Sequence, residues 1–314
     1  MSQEGQLKID LVIPVYNEAG VVEQTYADIC RVIDCLPHKF TIYYVDDGSG
    51  DNTVHSLNTL AENDPRIAVL EFARNFGHQA ALTAGLDASN GDFVISLDAD
   101  GQHPPEMIPQ MIALYEQGYD IVQAQRIEAG QGLSFKELTS SGFYMLINNI
   151  SGTRMVPGAA DFRGLSRQAV EALKAMPEYH RFLRGMISWM GYRSVILPYH
   201  ETRRVAGRSK YSFGKMFRLA MDAIFSFSLM PLYLGMTLGG ILLCLAAGQI
   251  IYVLSFWFTG RSTELVPGWS SLMSVMLVIG GMIMILLGFI GVYVGYIFQE
   301  VKRRPVYLLK KREK

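Results

Sequence analysis

Asp98 and Asp100 stand two apart in Leu97-Asp98-Ala99-Asp100-Gly101-Gln102, directly after the apolar run that begins at Phe93. On a turn, two carboxylates spaced this way can aim hard oxygen ligands at one divalent cation, with Gln102 adding an amide oxygen. Mg2+ or Mn2+ is the expected ion, held by one or two carboxylates, several waters and the phosphates of a substrate. Other acids follow other β-rich runs: Glu18 comes after Ile9 to Pro14, and Asp46-Asp47 closes the run from Phe40 to Val45. No GxGxxG follows the first run and no GxxxxGK[ST] occurs anywhere, which excludes the usual dinucleotide and P-loop arrangements. Phosphate must be held another way.

The elements that would position these acids can be read from local pattern. Ile9 to Pro14 predicts a strand stopped by proline, and Tyr16-Asn17-Glu18 then opens a helical stretch to about Leu36. Phe40 to Val45 predicts a second strand, with Asp51-Asn52-Thr53 placed to cap the helix that follows. A third strand over Ile67 to Phe72, a helix over Gln79 to Ala88 and a fourth strand over Phe93 to Leu97 continue the alternation. Strand alternating with helix predicts an α/β domain with a mostly parallel sheet. In such sheets ligands bind beyond the carboxyl ends of the strands, so the acidic turns should share one crevice.

The chain has 314 residues, enough for a catalytic domain over residues 1–200 and a smaller appendage. Residues 1–200 carry 14 Lys/Arg against 24 Asp/Glu, whereas residues 201–314 carry 14 against 5. An acidic front argues against nucleic acid as a partner, since backbone phosphates call for clustered cations. Cys30, Cys35 and Cys244 show neither a disulfide framework nor zinc spacing. The polar stretch Met1 to Lys8 lacks the apolar core of a signal peptide, so the acidic domain is expected in the cytoplasm.

Residues 229–258 and 270–298 contain no charged residue, and each run exceeds the roughly 20 residues needed to cross a bilayer. Two transmembrane helices are therefore expected within 229–314, the lipid bilayer being a partner of the chain. Gly235, Gly239, Gly240, Gly280, Gly281, Gly288, Gly291 and Gly295 suit close helix contact, within the chain or between chains. Cations gather before the first run (Arg203, Arg204, Arg208, Lys210, Lys215, Arg218) and after the second, where a basic tail ends the chain. The loop between the runs holds only Arg261 and Glu264. By the positive-inside rule both termini are cytoplasmic, in a multi-pass protein of the cytoplasmic membrane. Residues 201–228 read as a basic loop followed by an amphipathic helix, with Phe213, Met216, Phe217, Ala220, Ile224 and Phe225 at helical spacing. That helix either lies on the bilayer or packs on the catalytic domain.

Taken in order, Val12-Ile-Pro-Val-Tyr-Asn-Glu18, Val45-Asp-Asp-Gly-Ser49, Arg74-Asn-Phe-Gly-His-Gln79 and Leu97-Asp-Ala-Asp-Gly-Gln-His-Pro-Pro-Glu106 resemble glycosyltransferase family 2. With Asp161-Phe-Arg-Gly-Leu-Ser-Arg167 and Arg204-Val-Ala-Gly-Arg-Ser-Lys-Tyr211, the chain resembles the polyprenyl-phosphate glycosyltransferases, among them dolichol-phosphate mannose synthases and bactoprenol glucosyltransferases. The resemblance implies a GT-A fold and metal-dependent, inverting transfer of a hexose from a nucleotide sugar to a polyprenyl phosphate. It implies that Pro14, Tyr16, Glu18 and Asp47 hold the nucleotide, with Ala99 beside it. Asp98, Asp100 and Gln102 would hold the metal and diphosphate, and Arg126, Arg204, Ser209 and Lys210 would grip phosphate of donor or acceptor. Asp161 takes the place of an acid that acts as base, positions the acceptor, or pairs with Arg163 as structure. The residues also allow plainer roles: Pro14 can end a strand, Tyr16 can pack, Glu18 can favour a helix start, and Lys210 can be topological charge. His103, before Pro104-Pro105, is expected to shape its loop, and His78 to lie in a connector.

UDP-glucose is the expected donor, on the likeness of Asp161-Phe162-Arg163 to the glucosyltransferase branch; UDP-N-acetylglucosamine, GDP-mannose and an aminoarabinose donor are the alternatives. A polysaccharide synthase is the rival enzyme, disfavoured by the absence of QxxRW. A lipid carrier without chemistry would leave the acidic residues without purpose. Glycine-rich spans and the resemblance together imply a homo-oligomer, such as a tetramer.

Overall fold

The structure is a computed structural model; it describes residues 5–127, 159–179, 181–200 and 268–310, with scattered positions between 232 and 259. Arg204, Ser209, Lys210 and the amphipathic stretch 213–225 lie outside the described residues. The chain divides into two units, Met1–Met216 with Arg304–Lys314, and Phe217–Arg303.

In the first unit the described strands are β1 (Lys8–Val15), β2 (Lys39–Asp46), β3 (Ile67–Glu71), β4 (Phe93–Ser96), β5 (Ile121–Ile127), β6 (Ala159–Ser166) and β7 (Ser194–His200). The helices are α1 (Val22–Ile33), α2 (Thr53–Asn63), α3 (His78–Ala88), α4 (Ile108–Glu116), α5 (Arg167–Lys174) and α6 (Leu183–Trp189). One sheet runs in the order β3-β2-β1-β4-β6-β5-β7. β6 is antiparallel to both of its neighbours, and the other pairs are parallel. The α/β expectation therefore holds, with one reversed strand that local pattern did not reveal.

β1 lies in the interior of this sheet, covered on both faces, and Ile9 through Val15 are all buried. That near-continuous apolar run is what a parallel interior strand requires. Pro14 is tolerated there because β4 ends at Ser96, paired with Val12, so the ladder on that side stops before the missing N–H is needed. α1 turns Val22, Thr25, Ile29 and Ile33 toward the sheet at helical spacing. The core they enter includes Tyr44, Phe93, Ile95 and Phe162, each essentially inaccessible, and burying each such side chain stabilises the fold by roughly 1.5–3 kcal/mol.

One boundary differs from expectation. Residues 16–21 form a loop, and α1 starts only at Val22. The cause is competition for backbone donors: Asn17 N–H donates to Ser49 Oγ (2.9 Å) and Glu18 N–H to Thr53 Oγ1 (2.9 Å). Asn17 adopts φ 53°, a left-handed conformation that asparagine tolerates, and its Oδ1 accepts from Gly50 N–H at 2.8 Å. The turns after β1 and β2 are thus laced together.

At the amino ends of the strands, Arg66 binds Asp64 through Nε and Nη2 and reaches Asp34 through Nη1 at 2.6 Å. Hydrogen bonds from Arg66 outweigh the opposing effect of burial and, with help from Tyr26, hold the Asp64 carboxyl at about 2. A depressed carboxyl contributes stability that is complete above its unfolded value of about 4 and is lost as pH falls toward 2. Asp64→Asn is expected to flatten the acid limb of the stability profile between those pH values; urea titrations at stepped pH with unchanged slopes would refute this.

In the second unit, α7 (Trp269–Lys302) runs for 34 residues. Among the described residues it contains the one stretch long and apolar enough to cross a membrane, Val278–Lys302, with mean hydropathy 2.3 and none of its most apolar window buried. The first expected span is described only at scattered positions, those between 232 and 258 being helical, so of the expected pair one helix is described in full. A Cβ on Gly235 would collide with Leu286 Cδ2, which shows one small residue used for close helix approach. Among the described residues, a Cβ at Gly239, Gly240, Gly280, Gly281, Gly288, Gly291 or Gly295 would meet nothing within 4 Å.

Candidate active site

β1, β2 and β4 all run in one direction, so Tyr16, Asp47 and Asp98 emerge at the same end of the sheet. β6 runs the other way and delivers its early residues there instead: Ser96 pairs with Arg163, and Asp161 sits just past the end of β4. Ser96 Oγ donates to the Asp161 carbonyl at 2.6 Å, fixing that placement. β5 is parallel to β7, and Arg126 pairs with Tyr199, so Arg126 and the exit of β7 at His200 lie at this end too.

The acidic turn is held from several sides. Thr25 Oγ1 on α1 donates to the Ala99 carbonyl (3.0 Å), and Ala99 is buried. Asp98 N–H donates to His103 Nδ1 at 2.9 Å, and the His103 ring stacks on Phe162 with centroids 4.9 Å apart. His103 therefore shapes the loop, as expected. Its Nδ1 being an acceptor, Nε2 carries the proton and lies 3.8 Å from Asp98 Oδ2. Asp100 Oδ1 accepts Gln102 N–H (3.1 Å), closing the turn through Gly101 at φ 75°.

Asp47 is 4% exposed, and its carboxylate accepts the N–H groups of Phe76 (2.6 Å) and Gly77 (3.0 Å). Burial pushes its carboxyl up, and those two amides work against that rise. The expected nucleotide-holding role gives it a second task, since in this structure Asp47 fastens the segment between β3 and α3. The fit is close. A Cβ on Gly48, whose φ is +70°, would lie 2.5 Å from the Arg74 carbonyl carbon, so glycine is required on two counts.

His78 is the first residue of α3, immediately after that fastened segment, and is no mere connector. Its Nε2 lies 3.1 Å from Asp161 Oδ2 and 3.6 Å from Asp98 Oδ1. Asp161, 6% exposed, also accepts Arg163 Nη2 at 2.9 Å, and Arg184 on α6 grips it with Nε at 3.0 Å and Nη2 at 3.1 Å. Burial alone would raise its carboxyl; Arg184, His78 and Arg163 overcome that and hold it well below the usual range. For His78 burial opposes the charged ring, whereas Asp161 and Asp98 favour it and carry its value upward. The pairing of Asp161 with Arg163 was among the sequence-level alternatives. The parts played by His78 and Arg184 were not foreseen, although His78 falls within one of the quoted motifs.

Among the described residues no three His, Cys, Asp or Glu side chains converge as a ready-made metal cage. A cation would therefore rely on few protein ligands and on substrate phosphates. The residues fit that arrangement: Asp98 Oδ1 is a buried acceptor without a hydrogen-bond partner, and hard carboxylate oxygens suit Mg2+ or Mn2+. Pro14 is buried near the end of β1, while Tyr16, just past the strand, is 39% exposed and Glu18 is half-buried.

A mixed sheet with an acidic turn beyond its carboxyl edge and one reversed strand closing the crevice defines a GT-A glycosyltransferase. Residues 10–174 match the family described as "Glycosyl transferase family 2", and the chain belongs to that family. It is 38% identical over 309 residues to the SfII prophage-derived bactoprenol glucosyl transferase of Shigella flexneri, covering 97% of this chain and 98% of that protein. A prophage bactoprenol glucosyl transferase homolog of Escherichia coli is 36% identical, covering 98% of this chain and 100% of its own. An uncharacterized glycosyltransferase of Bacillus subtilis, YkcC, is 35% identical, covering 97% and 94%.

Proposed function

We propose that this glycosyltransferase moves a hexose from a nucleotide sugar, UDP-glucose foremost, to a polyprenyl phosphate at the membrane surface, with inversion at the anomeric carbon. The observation that carries the reading is the meeting of the acidic turn and the Asp161 cluster at the strand end from which β7 leads into the basic segment 203–210. Full-length likeness to bactoprenol glucosyl transferases supports the same acceptor.

In this reading a phosphate oxygen of the acceptor bonds to the anomeric carbon as the bond to the donor diphosphate breaks, the electron pair leaving with the nucleoside diphosphate. Asp98 and Asp100 would hold Mg2+ or Mn2+, with Gln102 alongside, and the ion would supply positive charge against the donor diphosphate. Tyr16, Glu18, Pro14 and Asp47 frame the nucleotide. An acceptor phosphate is already anionic near neutral pH, so no strong base is required. Asp161, kept ionised by two guanidiniums, positions Arg184 and His78 rather than taking a proton. Arg126, Arg204, Ser209 and Lys210 supply donors to phosphate, Arg204 with the planar fork suited to it.

The other expected span, over 229–258, and cytoplasmic placement of both termini belong to the same reading, supported by apolar runs and charge flanks, as does a homo-oligomer, supported by the glycine-rich spans and the family likeness. Incubating the full chain in detergent with undecaprenyl phosphate, Mg2+ or Mn2+ and a panel of nucleotide sugars should give one chloroform-soluble monosaccharyl phosphate. A water-soluble polymer would favour a polysaccharide synthase instead. Arg204→Ala is expected to raise the acceptor KM by roughly tenfold with little change for the donor; an unchanged lipid-phosphate dependence would remove Arg204 from the site.

A further inference from the structure

The residues after α7 return to the sheet of the first unit. Leu309 forms an antiparallel bridge with Phe72, just past β3, the outermost strand. Ala73 N–H donates to the Leu308 carbonyl (2.9 Å), and Lys310 N–H donates to the Glu71 carbonyl (2.8 Å). The Lys310 ammonium pairs with the Glu71 carboxylate. The segment thus covers an edge that would otherwise present unpaired backbone groups.

What it touches gives it a further role. The Tyr307 ring stacks on Phe72 at 5.3 Å and 9°, and its hydroxyl donates to Asp87 Oδ2 on α3 at 3.1 Å. Phe72 in turn meets Phe76 edge-on at 5.6 Å. Val306 and Tyr307 pack with Phe72 and Phe76 in one apolar cluster with Val45, Ala80 and Ala84. Phe76 and Gly77 are the residues whose N–H groups hold Asp47, and His78 follows directly. The tail therefore holds the start of the segment at Phe72 and Ala73, and through Phe72 and the shared apolar cluster it bears on Phe76 at the far end, beside the residues that hold Asp47.

We infer that the C-terminal segment 306–310, through Tyr307 stacked on Phe72, is a positioning element that sets the affinity of the crevice for the donor nucleotide. This rests on the donor site proposed above. Tyr307 touches no reacting atom; it acts by restraining residues 72–77. The segment follows α7, the membrane-type helix, in the chain, so the same residues that leave that helix order the donor end of the site.

The test compares full-length wild type with Tyr307→Ala and Tyr307→Phe, the latter keeping the ring stack and losing the hydroxyl bond to Asp87. Calorimetry with UDP and with GDP in the presence of Mn2+ reports nucleotide affinity, steady-state kinetics separate the two substrates, and amide exchange follows Phe76 and Gly77. Tyr307→Ala is expected to weaken the nucleotide that wild type binds by roughly tenfold and to raise donor KM alike, with kcat and acceptor KM nearly unchanged. Amide exchange at 76 and 77 should quicken, and Tyr307→Phe should recover most of the affinity. Unchanged donor affinity, whether or not exchange quickens, overturns the inference, as do equal rises in both KM values. Wild type that binds neither nucleotide would instead bring down the donor site itself, and the role of the tail with it.

Discussion

Asp100→Ala is expected to lower turnover by roughly a thousandfold or more while leaving the unfolding transition close to wild type. The contrast comes from where the side chain sits. Asp100 is half-buried on a turn, where its Oδ1 accepts Gln102 N–H, and losing a local hydrogen bond of that kind costs about 1 kcal/mol. Its proposed chemical task is different in scale, because a carboxylate lost from a two-carboxylate cation site leaves the diphosphate with little to balance its charge. Turnover in purified detergent with Mg2+ or Mn2+, beside a thermal melt, checks both halves. A variant that turns over at the wild-type rate would remove the metal assignment, and a collapsed melt would make Asp100 structural.

The second large effect belongs to Asp161, and there stability and activity should fall together. Asp161→Ala takes from Arg163, 3% exposed, the carboxylate its Nη2 bonds at 2.9 Å, and from Arg184 a two-point contact. Removing one partner of a buried ion pair costs roughly 3–5 kcal/mol, a large share of the about 5–15 kcal/mol that holds a domain together. Asp161→Asn keeps the shape and discards the charge, so it should recover little of that loss. Urea unfolding of both variants decides the matter: an Asn variant as stable as wild type would show that hydrogen-bond geometry, and not charge, holds the cluster. Turnover of a folded Asn variant then separates positioning from proton transfer. A positioning role predicts that activity tracks the order of Arg184 and His78, whereas a base predicts loss even where that order survives.

These two acids also mark how far local pattern reached. The strands ending near Pro14, Val45 and Leu97 were legible because buried parallel strands read as short apolar runs and their turns are rich in acids and glycine. So was the acidic turn at 98–100, with His103 behind it, since the contacts that shape it span only a few residues. The start of α1 was misplaced by about one turn because Ser49, Asp51 and Thr53, more than thirty residues away in the chain, capture the backbone donors of residues 17–19. The role of His78 is not legible locally, because the carboxylates it meets, Asp98 and Asp161, are brought to it from other strands, Asp161 from 83 residues on.

The amino-acid order by itself determined an α/β domain with acids beyond its strand ends, an acidic front and basic back, and apolar runs of membrane length. Each of these depends on periodicity, turn chemistry or composition, whose physical range is a few residues. Tertiary structure alone decided that β6 would run against its neighbours, and so that Asp161 would reach the crevice and meet His78, Arg163 and Arg184. It also decided that Tyr307 would close over Phe72. Such pairings follow from strand order and from which edge is left open, which are properties of the whole packed chain: the partners were present in the sequence, but only burial of the common core brought them together.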